Sequence, residues 1–122
     1  MSASSGNTVR GNYIGVNAAG TAAIANGQYG IILSGSANQV ISNVISGNAS
    51  GYPGIYAPSG ASSTVIQSNR IGIDAVGSTS IPNGGDGILL ESSSNTVGGT
   101  TAGQGNIIAN NTGTGLNVLA GG

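Results

Sequence analysis

The chain contains no cysteine, histidine, lysine, tryptophan or phenylalanine, and one methionine. Each gap removes a chemistry. Without cysteine there is no disulfide or thiol nucleophile, and without histidine or cysteine no imidazole or thiolate metal site. Charged residues make up 4% of the sequence, against about 25% in an ordinary soluble domain. The only cations are Arg10 and Arg70, too few to neutralise a phosphate track, which argues against a nucleic-acid partner. Basic stretches suited to an anionic membrane surface are missing too. No apolar run approaches the roughly 18 residues needed to cross a bilayer. Met1–Ser5 lacks the basic and apolar regions of a secretory signal. Long helix-forming side chains are scarce, with one glutamate, Glu91, and glutamine only at 28, 39, 67 and 104, so helices have little intrinsic support.

What remains is glycine, small polar residues and aliphatics. Glycine supplies 24 of 122 residues, 38% are hydrophobic and the net charge is −1. Disorder goes with low hydrophobicity and high net charge; this chain, a single domain by length, can bury a narrow core.

The sequence repeats at two levels. Asn12–Leu33 lies over Asn69–Leu90 at an offset of 57, matching Ile14 with Ile71, Gly15 with Gly72, Gly20 with Gly77, Ile24 with Ile81, Asn26 with Asn83 and Gly30 with Gly87. Within that, three short motifs return in fixed order. One is "NTV" or its like, at Asn7–Val9, Asn38–Val40, Ser63–Val65 and Asn95–Val97. The next is small-Asn-x-Ile, at Gly11–Ile14, Ser42–Ile45, Ser68–Ile71 and Gly105–Ile108. The last opens with glycine, at Gly30–Leu33, Gly54–Ala57, Gly87–Leu90 and Gly115–Val118.

Three strands of two to five residues per turn cannot stand as a free sheet. They become stable when each pairs in parallel with its equivalent one coil away, at about 4.8 Å. The expected fold is therefore all-β: a single-stranded parallel β-helix of about four to five coils over one domain, 1–122, with residues 1–6 an unstructured or artificial start. Period-two alternation points Ile31, Ile55, Ile88 and Leu116 inward, with Leu33, Ala57, Leu90 and Val118. Val9, Val40, Val65 and Val97 face the same interior from a second strand, and Ile14, Ile45, Ile71 and Ile108 from a third. Tyr13, Val44, Arg70 and Ile107 point outward. Asn12, Asn43, Asn69 and Asn106 keep step with the core and read as a structural ladder of stacked amides. Asn7, Asn38, Ser63 and Asn95 form a second, imperfect row.

The combination of "GNYIG", "NAAGTAA" and "NGQYGI" with "NTVGGTTAGQGNIIANN" (Asn95–Asn111), extending over residues 6 to 120, resembles the right-handed parallel β-helix repeats of large secreted or surface-anchored bacterial proteins. That superfold is shared with pectate lyases and other polysaccharide-active enzymes. The resemblance implies right-handed coils, an extracellular or cell-surface parent protein and no cofactor.

Chemistry is sparse. The acids are Asp74, Asp86 and Glu91. The Ca²⁺-binding carboxylate cluster of pectate-lyase-like enzymes has its only local echo in Arg70 with Asp74, which points away from catalysis. Asp86 and Glu91 flank one strand and read as turn residues toward its opposite ends. Asp74 and Asp86 end the stretch Gly72–Gly87, where with loop carbonyls they would supply at most a single weak Ca²⁺ site. A repeated site is excluded, since the first copy holds Asn17 and Tyr29 there. A Thr-x-Thr ice-binding row is absent, Thr112 and Thr114 having no stacked counterparts. Tyr29, Tyr52 and Tyr56 add aromatic area to a face formed by the two equivalent loops Gly15–Gly30 and Gly72–Gly87, suited to stacking on a sugar. The expected function is thus a non-catalytic structural or adhesive solenoid segment with Tyr29, Tyr52, Tyr56, Asp74 and Asp86 as candidate binding residues. The alternative is a piece of a polysaccharide lyase or hydrolase without its active site. No capping segment is recognisable, so the coils are expected to stack end to end with another copy or to belong to a longer solenoid.

Overall fold

The computed structural model describes residues 4–119. It is a right-handed parallel β-helix of about four coils, built only from short strands. Numbered in chain order, β1 (Thr8–Arg10), β4 (Gln39–Ile41), β7 (Val65–Gln67) and β10 (Thr96–Val97) form the first sheet. β2 (Tyr13–Ile14), β5 (Val44–Ile45), β8 (Arg70–Ile71) and β11 (Ile107–Ile108) form the second. β3 (Ile31–Ile32), β6 (Ile55–Ala57), β9 (Ile88–Leu90) and β12 (Leu116–Val118) form the third. Every ladder is parallel, each strand pairing with its equivalent one coil on.

The interior is a column of aliphatic side chains. Val40, Ile45, Ile55, Ala57, Ile66, Ile71 and Ile88 have no exposed surface, and Val9, Ile14, Val97 and Ile108 close the column at its ends. Each buried isoleucine contributes about 1.5–3 kcal/mol by its removal from water. One inward position differs from expectation: Ile66, not Val65, fills the core of β7, since Val40 pairs with Ile66 and Gln39 with Val65. The motif in that coil is Thr64-Val65-Ile66, shifted by one. Thr64 is the ladder residue there, with Oγ1 donating to Ala61 O at 3.0 Å as Asn38 Nδ2 donates to Gly35 O. The second row is accordingly Asn7, Asn38, Thr64 and Asn95, and Ser63 is the bend before it.

The corners follow a simple rule. Ala37, Ser42, Ser63, Ser68, Ser94 and Asn110 all have φ of 57–61°, and each immediately precedes a ladder residue. A left-handed residue turns the chain sharply, at a cost of roughly 1–2 kcal/mol for a residue with a Cβ. The amide one step later offsets that cost by bonding between coils.

The Asn12–Asn43–Asn69–Asn106 row is a continuous ladder. Backbone N and Nδ2 of each asparagine donate to Oδ1 of the next, at 2.9–3.2 Å. Nδ2 of Asn43, Asn69 and Asn106 also reaches a carbonyl of the preceding coil, Val9, Val40 and Ile66 respectively. A third ladder, not anticipated, runs through Asn26, Asn48, Asn83 and Asn111. The glycines that open the third strand motif make room for it: a Cβ on Gly54 would sit 2.8 Å from Asn83 Nδ2, and one on Gly87 2.8 Å from Asn111 Nδ2.

Two insertions leave the second sheet as hairpins. In the first, Val16 bridges Ala23; in the second, Ile73 bridges Ser80. Rather than projecting, they fold back over the sheet and touch each other, Ala75 N donating to Gly20 O at 3.0 Å. Val44, expected to point to solvent, is consequently 4% exposed, packed with Val16, Ile81 and Ala75 in a second small core. At the start of the chain, Gly6 N already bonds Ser36 O and Ser5 faces Ser36; residues 1–3 of the expected start lie outside the described part.

Candidate functional site

Asp74 and Asp86 are not brought together. Asp74 lies in the second hairpin, where its carboxylate caps the turn: Ser78 N donates to Oδ1 at 2.7 Å and Ser78 Oγ lies 3.3 Å from Oδ2. Asn17 does the same work in the first hairpin, accepting from Thr21 N at 2.8 Å. The backbone N–H of Ser78 stabilises the charged form, and the neighbouring Thr79 and Gly77 amides reinforce it. Together they outweigh burial and lower the Asp74 pKa from 3.8 to about 2.

A pH dependence follows. Asp74 is harder to protonate folded than unfolded, so its stabilising contribution is complete above about pH 4 and lost as pH falls toward 2. Thermal unfolding followed across that window should show a falling midpoint. Asp74→Asn, which copies Asn17, should flatten the fall; an unchanged slope would show that other groups cause it.

Asp86 instead ties β9 to the final coil. Its Oδ1 accepts from Thr114 N at 2.7 Å, and its Oδ2 from Asn117 Nδ2 at 2.9 Å. Arg70, half-buried on the second sheet, has an Nε that is buried with no hydrogen-bond partner, and the Asp74 carboxylate is engaged by Ser78 rather than by it. No group of three or more potential metal-ligating side chains occurs among the described residues.

The three tyrosines do come together, though away from the hairpins. Tyr56 points outward from β6 on the third sheet. Tyr29 stacks on it with ring centroids 5.1 Å apart, and Tyr52 meets Tyr29 edge-on at 5.0 Å. Aromatic pairs in such geometries contribute about 0.5–1.5 kcal/mol each beyond the area they bury. Tyr56 Oη donates to Glu91 Oε2 at 2.7 Å, a bond that raises the tyrosine pKa. Register places Ile32, Tyr56, Leu89 and Asn117 in one outward row, with Ile32 51% exposed. The outcome is a half-buried aromatic and aliphatic strip with Glu91 on one side and the Asp86–Asn117 pair near its end.

Glu91, Asn117, Ile32 and Leu89 were missed as members of this surface. A signal existed: each falls on the outward parity of a third-sheet strand, the same parity as Tyr56. The hairpins misdirected the reading, because Tyr29 ends one inserted stretch and looks like part of its loop. Scanned against family models, curated proteins and solved structures, the chain has no match in any of the three.

Proposed function

We propose that this chain is a structural, adhesive solenoid segment that binds an uncharged polysaccharide along the outer face of its third sheet. The observation that carries this reading is the interlocked Tyr29–Tyr52–Tyr56 cluster on a regular parallel sheet, next to exposed Ile32. Sugar rings offer flat C–H faces to aromatic and aliphatic surface, and their hydroxyls donate to carboxylates and amides. Here Glu91, Asp86 and Asn117 supply the latter, each already oriented by a bond within the protein. Rigid tyrosines give contact area at low entropic cost. Carboxylates without a cation among them repel polyuronates, so a neutral polymer fits best.

Affinity electrophoresis through gels containing neutral glucans, galactans or pectate tests this. The chain should be retarded by a neutral polymer and not by pectate. Tyr52→Ala with Tyr29→Ala should weaken retardation by about tenfold or more, the size of an interface hot spot, whereas Tyr13→Ala, on the second sheet and 48% exposed, should not. Retardation by no polymer, or retention by the double variant, would sink the reading. Release of new chain ends from any polymer would favour an enzyme instead.

A further inference from the structure

The second sheet carries an unfinished version of a contact it completes elsewhere. Its outward row reads Tyr13, Val44, Arg70 and Ile107 from first coil to last. Val44, in the second coil, is covered from both sides: Val16 comes from the first-coil hairpin, Ala75 and Ile81 from the third-coil hairpin. Ile107 holds the same position in the fourth coil and is 46% exposed. Among the described residues no later coil covers Ile107 as the third-coil hairpin covers Val44, and the first-coil hairpin is the equivalent of that cover at the 57-residue offset.

The asparagine ladders point the same way. In all three, N–H groups of one coil donate to Oδ1 of the next. Among the described residues, Oδ1 of Asn7, Asn12 and Asn26 receives nothing from an earlier coil, and the backbone N–H groups of Asn95, Asn106 and Asn111 have no later Oδ1. One end of the stack thus presents three acceptors and the other three donors, at matching corners. Inward-facing Val97, Ile108, Leu116 and Val118 are partly exposed at the donor end, opposite Val9 and Ile14 at the acceptor end. The twelve strands of the described residues form three four-stranded sheets, with β1, β2 and β3 at one edge and β10, β11 and β12 at the other, so a following copy would place its β1, β2 and β3 on those last three strands.

We propose that this chain assembles head to tail with a second copy, the first coil of one molecule stacking in register beneath the fourth coil of another. β1, β2 and β3 of the incoming copy extend the sheets at β10, β11 and β12. Its first hairpin closes over Ile107, and its Ala18 N–H meets Gly77 O, repeating the bond that Ala75 N makes to Gly20 O. Head-to-head contact would set acceptor against acceptor. Because the contact is heterologous and does not close, it propagates into rods. Nothing in it depends on carbohydrate binding.

The chain has no cysteine, which makes a directional test clean. Thr8 and Thr96 occupy the same outward column of the first sheet, separated within one molecule by Gln39 and Val65. Across the proposed junction they become adjacent, at about 4.8 Å, within disulfide reach. Under mild oxidation, Thr8→Cys/Thr96→Cys should yield a series of covalent oligomers. A mixture of the two single variants should stop at dimers, and either single variant alone should remain uncrosslinked. Sedimentation of the unmodified chain should show average mass rising from micromolar to millimolar concentration. Ile107→Lys should leave the circular dichroism of the fold unchanged yet weaken assembly at least about tenfold, since the hairpin would bury an unpaired charge. A monomer at all concentrations, a double variant that crosslinks no better than the singles, or undiminished assembly of Ile107→Lys would each overturn the proposal.

Discussion

Asn69→Ala is expected to lower the free energy of unfolding by about 3–5 kcal/mol, in a fold whose total is of the order of 5–15 kcal/mol. Asn69 is 1% exposed and bonds in three directions. Its Oδ1 accepts from Asn43 N and Nδ2, and its Nδ2 donates to Val40 O and to Asn106 Oδ1. Truncation strands the Asn43 amide groups and the Val40 carbonyl where water does not reach, and each orphaned group costs about 1–3 kcal/mol. Leucine would fill the space but leave the same groups unsatisfied, so it should not rescue. The matched comparison is Asn12→Ala at the exposed end of the same ladder, expected to cost below about 1 kcal/mol because water replaces the lost partners. Urea denaturation followed by far-ultraviolet circular dichroism measures both. Equal losses at the two positions would mean that the ladder is ornament and the aliphatic column alone holds the coils.

Gly72→Ala should be comparably severe, for a different reason. Gly72 has φ of +85° and stands where the second hairpin leaves the coil, its N–H shared between Ile45 O and Ser46 Oγ. A Cβ there would drive into the carbonyl of Ala109 and the amide of Asn111 on the next coil. Neither is free to move, the first being main chain and the second part of the third ladder. Gly98 has almost the same φ, +84°, but nothing within 4 Å of its would-be Cβ. Gly98→Ala should therefore cost only the left-handed penalty of about 1–2 kcal/mol, and Gly72→Ala should exceed it by at least about 2 kcal/mol through steric displacement of a packed layer. Similar losses would show that the corner relaxes and that backbone conformation is all glycine provides there.

Asn69 and Asn83 mark the division between what could and could not be read in advance. Asn69 keeps a constant spacing to its core isoleucine in every coil, so its ladder is visible as a repeat. Asn83 belongs to a ladder of the same kind yet hides. Asn48 follows Ile45 by three positions and Asn111 follows Ile108 by three, while Asn26 and Asn83 follow Ile14 and Ile71 by twelve because a hairpin intervenes. A spacing rule fails across an insertion whose two ends return to the same point. The shift from Val65 to Ile66 has a related origin: both are β-branched aliphatics, so alternation is satisfied either way, and only the corner bonds of Thr64 select the register.

The tyrosines show the same boundary at the candidate site. Tyr29, Tyr52 and Tyr56 were expected to share a face, although the two loops were expected to form it. That this surface is separate from the hairpins, and that Glu91 and Asn117 complete it, was not legible.

Composition, the order of three motifs and their recurrence determined by themselves that this chain coils as a parallel solenoid with an aliphatic interior, because each strand's period and each corner's residue type are local properties. Which residues meet on the outside was decided only by the stacked structure. The lateral neighbours there come from other coils, and a hairpin's fold back over Val44 rather than out to solvent depends on what stands above and below it.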